Sequence, residues 1–465
     1  CPLADPRTEP LTDLNPMRML GHPIVALMIS VAFLWTANGL FHSLIGLRMS
    51  QEGFDTTVAG LVTAAYFFGQ LVGAALCGRI IESVGHVRSF AAFASIISAC
   101  AIAHAIFVDP YFWSVLRFAT GVCIAGALMV AESWLNGAVS NTRRGGMLSI
   151  YVVVIYFGMA AGQQILNLSP PTSFILYSVA SILFSLALVP LSLASRATAG
   201  ELAPSRLSMA ELFKVSPLGM ICSFASGVLG AVVMGLGPIF GNQIGFSVSE
   251  IATMMTVTMF GGLLLQYPIG KLSDYFDRRT VIAVVLFAVG GVSFAIALLF
   301  NGGTFMFLGL MVVFGGLNFA LYPLAISHVN DHVDASDLVP AAAGILIAAS
   351  LGSTVGPIIA AFAMDRIGPG GLFQFTAFVG FSVGIFAVYR MLRSAAPAME
   401  EQGPYVAYAR TSAIVAELDP RGEFIEEVEP NVMDENLPKD FSYDEVIESA
   451  VEGEAEEWVQ ANSSP

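Results

Sequence analysis

Long apolar stretches are the feature that most constrains how this chain can fold. Each is close to the roughly 20 residues that an α-helix needs to cross the hydrocarbon core of a bilayer. Of the 465 residues, 56% are hydrophobic and only 12% are charged, which is unlike a soluble domain. The sequence also lacks the alternating apolar and polar residues that mark a membrane β-barrel. We therefore predict an all-α integral membrane protein with twelve transmembrane helices, at residues 23–45, 58–78, 89–107, 111–131, 147–168, 173–193, 217–240, 250–270, 280–300, 304–327, 339–362 and 371–393.

The distribution of basic residues predicts the orientation of these helices. With the N-terminus inside, 17 of the 20 Lys and Arg residues fall on the inner side. Arg48 and Arg366 fall in outer loops, and Arg117 lies inside a span. Basic residues concentrate in cytoplasmic loops. We therefore expect both termini in the cytoplasm and a multi-pass protein in the inner cell membrane.

One short pattern occurs twice, with its two copies 192 residues apart. In each copy a glycine is followed four residues later by a carboxylate and then by arginine, a combination that can hold loops together through charge-assisted hydrogen bonds. The residues are Gly78, Glu82 and Arg88 in the first copy and Gly270, Asp274, Arg278 and Arg279 in the second. The repeat predicts two halves that move against each other around a central site.

A second duplicated pattern is Gly-x-x-x-Gly, at Gly158 and Gly162 and again at Gly352 and Gly356. Small residues at this spacing allow close helix crossing in membranes, and we assign the same packing role to Gly78 and Gly270. The predicted organisation is a cytoplasmic segment at 1–22, two six-helix pseudo-repeats at 23–193 and 217–393, and a cytoplasmic linker at 194–216.

The C-terminal tail differs sharply from the rest of the chain. Residues 394–465 contain 18 acidic and 3 basic residues, a difference of −15 that equals the net charge of the whole chain. Residues 395–440 contain proline and have no helical period, so we predict a largely disordered cytoplasmic tail. Residues 442–460 have the pattern of an amphipathic helix with an acidic face. This helix either docks on the basic loops of the protein, recruits a protein partner, or is merely solvated.

The duplicated loops and span motifs resemble the major facilitator superfamily of secondary transporters. The loop pattern resembles the signature loop of that family, and Arg117-x-x-x-Gly121 resembles its arginine motif. The run Glu132-Ser133-Trp134-Leu135-Asn136, with Arg143-Arg144-Gly145 and the stretch from Tyr156 to Gln163, is similar to the YcaD-like branch. The sequence departs from the family pattern at Glu82, at His86-Val87 and at Asp277. The resemblance covers about 20–394 and implies alternating access around a central path.

Arg117 is the basic residue in the middle of a span, and an unpaired cation there is costly. We interpret it as a residue that faces a polar cavity and holds an anionic substrate group or tunes a proton site; the alternative is that it snorkels or bonds a neighbouring helix. Other polar residues within spans are candidates for the substrate path or for coupling, although they could equally serve as helix-to-helix hydrogen bonds. These candidates are Asn38, His42, Gln70, Gln163, Gln164, Gln266, Asn318 and Tyr322.

The carboxylates and arginines at the inner ends of the helices are predicted to form a cytoplasmic latch. Its members are Glu82, Arg88, Glu132, Asp274, Arg278 and Arg279. Glu132 is expected to pair with Arg88, Arg143 or Arg144; the alternative is a proton carrier. His328 and His332 share a helix face close to Asp331, Asp334 and Asp337, but we predict no metal site there, because no cysteine or catalytic spacing supports one.

The predicted function is secondary active transport of a small molecule by alternating access. No acidic residue lies in the middle of a span, which favours neutral or anionic substrates over cations. Coupling to protons fits His42 and His104, which titrate near neutral pH in their ordinary state. No nucleotide-binding or metalloprotease motif is present, so we expect neither enzymatic activity nor a cofactor, and no nucleic acid partner. The alternative is a membrane sensor or scaffold that signals through its acidic tail.

Overall fold

The chain is described by a computed structural model at residues 23–139, 144–193, 209–300, 303–334, 337–393, 402–412 and 414. Within these residues, 12 helical segments are long and apolar enough to cross a membrane, which confirms the predicted number. The helices are α1 (Pro23–Gln51), α2 (Thr56–Val84), α3 (His86–Ile106), α4 (Pro110–Ala138), α5 (Arg144–Ile165), α6 (Phe174–Leu186), α7 (Leu188–Leu193), α8 (Met209–Val215), α9 (Pro217–Gln243), α10 (Val248–Tyr275), α11 (Arg278–Leu299), α12 (Thr304–Asn330), α13 (Leu338–Ile367) and α14 (Gly371–Arg393). The segment 1–22, most of the linker 194–216 and the predicted helix 442–460 lie outside the described residues.

Local sequence signals explain where several of these helices begin. Asp109 caps α4 by accepting a hydrogen bond from the N–H of Phe112 at 2.8 Å, just before Pro110 at the first helical position. Ser247 and Glu250 form a reciprocal capping box at the start of α10. These side chains satisfy backbone donors that the first turn of a helix leaves free.

The two halves use the same helix pairings. In the first half α1 packs on α5, α2 on α4, and α3 on α6; in the second half α9 packs on α13, α10 on α12, and α11 on α14. Between the halves, α2 packs on α13 and α5 on α10, while α1 packs on α9. The predicted pseudo-repeat is therefore present as a repeated set of helix contacts.

Glycines bring the paired helices close together. A Cβ at Gly162 would overlap the backbone of α1 at Thr36 and Leu40, and a Cβ at Gly352 would overlap the backbone of α9 at Phe224. Gly158 and Gly356 face the same two neighbours. Gly78 is half-buried in α2. Gly270 differs, because a Cβ there would meet the ring of Tyr405 from the C-terminal tail.

Residues 402–412 pack inside the bundle, where the sequence predicts a disordered tail. Tyr408 is 1% exposed and Ser412 is 3% exposed. The segment contains a short apolar run, Tyr405-Val406-Ala407-Tyr408-Ala409, and burial of such side chains provides free energy that an acidic stretch lacks. The segment contacts Asp274 and Arg278 at the end of the bundle where α2 and α10 terminate. We call this end the basic side, because it carries the arginines of the two repeated loops.

Candidate functional site

A cavity of about 120 Å³ lies between the two halves. Its wall combines aromatic rings with amide and hydroxyl groups. Side chains from the first half include Trp35, Asn38, His42, Tyr66, Phe67, Gln70 and Tyr156; those from the second half include Ser226, Met234, Asn318, Phe319 and Tyr322. The C-terminal segment contributes Tyr408, Ala409, Arg410 and Thr411. Mixed aromatic and polar walls of this kind are typical of small-molecule sites.

A short chain of hydrogen bonds follows the first-half wall. The Tyr66 hydroxyl donates to Asn38 Oδ1 at 3.3 Å, and Gln70 Nε2 donates to the Tyr66 hydroxyl oxygen at 3.1 Å. His42 packs edge-on against the ring of Tyr66, with centroids 4.5 Å apart. Of the predicted path residues, Asn38, His42 and Gln70 therefore line one continuous surface.

Arg117 lies behind this wall, not on it. Its Nη2 is 3.0 Å from His42 Nδ1, and its guanidinium carbon is 4.2 Å from the centroid of the Tyr66 ring. The residue is only 2% exposed. A guanidinium can only donate, so Nδ1 of His42 accepts and the imidazole is neutral in this contact. Arg117 thus contacts two residues of the cavity wall, His42 and Tyr66.

In the second half, the wall is neutral. Asn318 and Tyr322, two of the candidate path residues, both line the cavity. Gln266 Oε1 accepts a hydrogen bond from the Tyr156 hydroxyl at 3.0 Å, which joins α10 to α5 across the two halves. Gln266 therefore supports the position of a wall residue.

The two remaining glutamines of the predicted path have packing contacts. Gln163 Nε2 donates to the carbonyl of Gly39 at 2.9 Å and ties α5 to α1. Gln164 Nε2 donates to Thr256 Oγ1 at 2.7 Å and ties α5 to α10. His104 is also off the cavity, with Nδ1 2.7 Å from the carbonyl of Cys100.

The latch residues of the second half form a buried cluster. Arg278 bonds Asp331 and the carbonyl of Ser327, the latter at 3.0 Å, and its Nη2 is 3.8 Å from Asp274. The side chains of Arg278 and Asp331 are 1% and 2% exposed. Arg279 pairs with Asp277 at 3.1 Å. Asp331, at the end of α12, was not among the predicted latch residues.

The first half has a different arrangement. Glu82 and Arg88 are exposed, and among the described residues neither has an ion pair. Glu132 is fully buried. It accepts hydrogen bonds from the Tyr151 hydroxyl at 2.8 Å and from the Ser412 hydroxyl. In the part of the chain that the structure describes, Glu132 thus bonds hydroxyl groups; Arg143 and the side chain of Arg144 lie outside that part, so the pairing with either of them stays a prediction.

Arg410 is a cavity-lining residue that was not among the candidates from the sequence. Its Nη1 donates to the carbonyl of Ser226 at 3.1 Å. Burial lowers the pKa of its guanidinium from the usual value, and the nearby hydroxyls of Tyr322, Tyr156 and Tyr66 oppose that shift. The usable signal was a basic residue beside an aromatic run within an acidic tail.

Hydrogen bonds join the halves at the end opposite the basic side. Asn242 Nδ2 donates to Ser50 Oγ at 2.8 Å, and Gln243 Nε2 donates to Thr56 Oγ1 at 3.0 Å. The Thr57 N–H donates to Asp365 Oδ2 at 2.8 Å. At the basic side, the C-terminal segment lies between Glu132 of the first half and Arg278 of the second. The described geometry is therefore closed by direct contacts at one end only.

Two similar sequences are both uncharacterised MFS-type transporters. The chain is 29% identical over 374 residues to the uncharacterised MFS-type transporter YcaD of Escherichia fergusonii, which covers 78% of this chain and 95% of the relative. It is 27% identical over 378 residues to an uncharacterised MFS-type transporter of Yersinia enterocolitica, with 81% and 96% covered. The predicted resemblance to the YcaD-like branch is confirmed.

Solved structures share the fold at low sequence identity. The nucleoside transporter NupG aligns with a TM-score of 0.68 at 15% identity, covering 79% of this chain and 98% of that one. A D-xylose-proton symporter aligns with a TM-score of 0.63 at 15% identity, covering 82% and 98%. The profile of the Major Facilitator Superfamily matches residues 27–230 and 219–407. The chain belongs to the major facilitator superfamily of secondary transporters.

Proposed function

We propose that the protein carries a neutral or anionic small molecule across the inner cell membrane by alternating access, with the cavity between the halves as its substrate site. The observation that carries this proposal is the wall of that cavity. Trp35, Tyr66 and Tyr322 offer aromatic faces, and Asn38 and Asn318 offer amide groups that can both donate and accept hydrogen bonds.

The charge of the wall favours this substrate class. Among the described wall residues of the two halves there is no carboxylate, so a cationic substrate would find no countercharge within the membrane. Arg117 lies just behind His42 and Tyr66 and contributes a positive field. A neutral molecule with a planar or apolar face and several polar groups fits this surface, and an anionic group gains from Arg117.

Coupling to protons follows from the contact between His42 and Arg117. The Nδ1 atom of His42 accepts from Arg117 in this arrangement; protonation there would remove the acceptor and bring two cations together. Proton uptake therefore requires the two side chains to separate. A movement of α1 against α4 would supply that separation, which links protonation to the conformational change.

The basic side is cytoplasmic in this proposal, because 17 of 20 Lys and Arg residues belong to that side and such residues concentrate inside. The direct bonds between the halves then close the outer end. This conformation corresponds to the state in which the outer end is closed. We expect no enzymatic activity.

The first test identifies a ligand without assuming one. Purified protein is screened for thermal stabilisation by metabolites, and a ligand that binds only the native state stabilises by about 2.7 kcal/mol at a hundredfold excess over its Kd. The Asn318→Ala variant should bind a true hit about fivefold more weakly, since one hydrogen bond contributes about 1 kcal/mol. The matched control is Asn167→Ala, which removes an exposed amide outside the cavity.

The second test measures transport of that ligand. The protein is reconstituted in liposomes, and counterflow and proton-driven uptake are measured. Under the proposal, His42→Gln retains counterflow but loses the response to a proton gradient, whereas His104→Gln, which changes a buried histidine off the cavity, retains both. Binding without any counterflow would contradict transport and would favour the sensor alternative.

A further inference from the structure

The segment that carries Gly403, Tyr405 and Arg410 does more than pack on the surface of the bundle. Its first anchor is on the second half. Arg278 Nη2 donates to the carbonyl of Gly403 at 2.7 Å, and the Gly403 N–H donates to Asp331 Oδ1 at 3.2 Å. The same ion pair that closes the second-half latch therefore also holds the backbone of the tail.

A second anchor follows two residues later. The Tyr405 N–H donates to Asp274 Oδ1 at 2.7 Å, and the Tyr405 ring covers Gly270, where a Cβ would overlap it. Burial raises the pKa of the Tyr405 hydroxyl from its usual value. The repeated glycine and carboxylate of the second-half loop thus form a seat for one aromatic residue.

From this seat the chain enters the cavity. Tyr408, Ala409, Arg410 and Thr411 form part of the cavity wall, and Arg410 reaches the carbonyl of Ser226 on α9. The remaining space of about 120 Å³ is below the roughly 300–1,000 Å³ of ordinary small-molecule pockets. The segment therefore occupies volume that a substrate would need.

The last anchor is on the first half. The Ser412 hydroxyl donates to Glu132, and Ile414 is buried at 6% exposure. One segment of chain thus bonds the second half through Asp274 and Arg278 and the first half through Glu132. Closing the basic side requires these two surfaces to approach, and the segment lies between them.

We propose that residues 402–412 are an internal plug, an autoinhibitory peptide that fills the substrate cavity from the cytoplasmic side and must leave before the halves can rock. The cavity is then a peptide-binding groove in cis, which selects an aromatic residue at the Gly270 seat, a guanidinium at Ser226 and a hydroxyl at Glu132. The inhibitory meaning of this contact rests on the proposed transport function. The presence of the segment in the groove does not depend on that function.

Occupancy is tested by labelling. A single cysteine, Ser226→Cys, is introduced into the full chain with the five native cysteines replaced by alanine, and its rate of reaction with a charged maleimide is measured from the cytoplasmic side. Displacing the plug with Tyr405→Ala and Arg410→Ala should raise that rate at least about tenfold, since both anchors contribute. The matched control is Pro404→Ala, an exposed position of the same segment. Equal rates in the double variant and the control would overturn the proposal.

A second measurement uses a chain whose anchors at Tyr405 and Arg410 are intact. The Glu132→Cys substitution is combined with Ser412→Cys or, as the control, with Pro404→Cys; each protein is treated with a short bifunctional thiol reagent, and the intramolecular product is detected as a shifted band. The product is expected from the pair with Ser412→Cys and not from the pair with Pro404→Cys. No product from the pair with Ser412→Cys would overturn the placement of the segment.

Inhibition is tested by measuring flux of the ligand found by thermal stabilisation. The double variant should transport faster than the Pro404→Ala control. Faster labelling with unchanged flux would overturn autoinhibition. Faster labelling with no flux in either protein would support occupancy of the groove and show that the transport function, not the plug, is wrong.

Discussion

The two halves of the molecule share their helix packing but not their buried chemistry. The same pairings recur in both, yet the first half buries Arg117, His42 and Glu132. At the repeat offsets of 192 and 194 residues, the second half has Gly309, Met234 and Ile326. Duplication has therefore preserved the helix packing, while the buried Arg117, His42 and Glu132 have a glycine or an apolar residue at the equivalent positions of the second half.

The latch loops show the opposite asymmetry. The second-half loop is part of a buried cluster of Asp274, Arg278 and Asp331 that also holds the C-terminal segment. The first-half loop exposes Glu82 and Arg88. The buried polar groups His42 and Arg117 near the cavity thus belong to the first half, and the residues that hold the tail at the latch belong to the second half.

The largest effect is expected from the buried cation of the first half. Arg117→Leu should reduce uptake in liposomes to the level of empty liposomes, because His42 loses its donor and the cavity loses its positive field. The control in the second half is Gly309→Leu at the equivalent position, where a Cβ meets open space. Gly309→Leu should transport normally. Full uptake in Arg117→Leu would mean that transport does not depend on the buried cation of the first half.

The second prediction compares the two latches. Arg278→Ala leaves Asp331 buried and without its closest cation, and breaking a buried pair in this way costs about 3–5 kcal/mol. Arg88→Ala removes an exposed arginine of the first-half loop and should change stability by less than about 0.5 kcal/mol. Denaturant unfolding in mixed micelles measures both. Similar losses in the two variants would mean that the latches are equivalent.

The third prediction concerns what the halves share. Gly162→Ala and Gly352→Ala each force a methyl group against a neighbouring helix backbone, and overpacking of this kind costs about 1–3 kcal/mol. Gly145→Ala, on the same helix as Gly162 but facing open space, should leave the unfolding transition unchanged. We expect similar losses of unfolding free energy from Gly162→Ala and Gly352→Ala. A loss in only one of them would mean that the repeated glycine pattern does not give the same helix packing in both halves.

Much of the scaffold could be predicted because membrane physics acts on local sequence. Span length, glycine spacing and helix caps are short-range signals, and they located the twelve helices and the close crossings at Gly162 and Gly352. Asn38 and Asn318 were found because polar residues within spans are rare. These signals need no knowledge of which helices meet.

The tail contacts could not be predicted in the same way. Ser412 and Glu132 are separated by 280 positions, and nothing in the local sequence of either residue names the other. Gly270 was interpreted as a helix-packing glycine because its neighbour along the chain is a helix, whereas its neighbour in space is Tyr405. Composition predicted disorder for residues 395–440 because it averages over an acidic stretch, and a short apolar run within it is lost in that average.

The smallest expected effect comes from the hydrogen bonds that join the halves at the end opposite the basic side. The Thr57 hydroxyl and N–H both bond Asp365 across the halves at the outer end. Thr57→Val removes the hydroxyl and keeps the backbone bond, so about 1 kcal/mol is lost and the outer-open population should rise about fivefold. The matched control is Thr253→Val, whose hydroxyl bonds the carbonyl of Ser249 within α10 and joins no second element.

Spin labels at Gln51 and Ser249, exposed positions at the outer end of the two halves, report this population as a distance distribution. A longer distance should grow in Thr57→Val and not in Thr253→Val. If both distributions stay unchanged, the direct bonds at the outer end are not what holds it closed. The packing of α2 on α13 and of α5 on α10 would then remain, together with the plug at the basic side, as contacts between the halves.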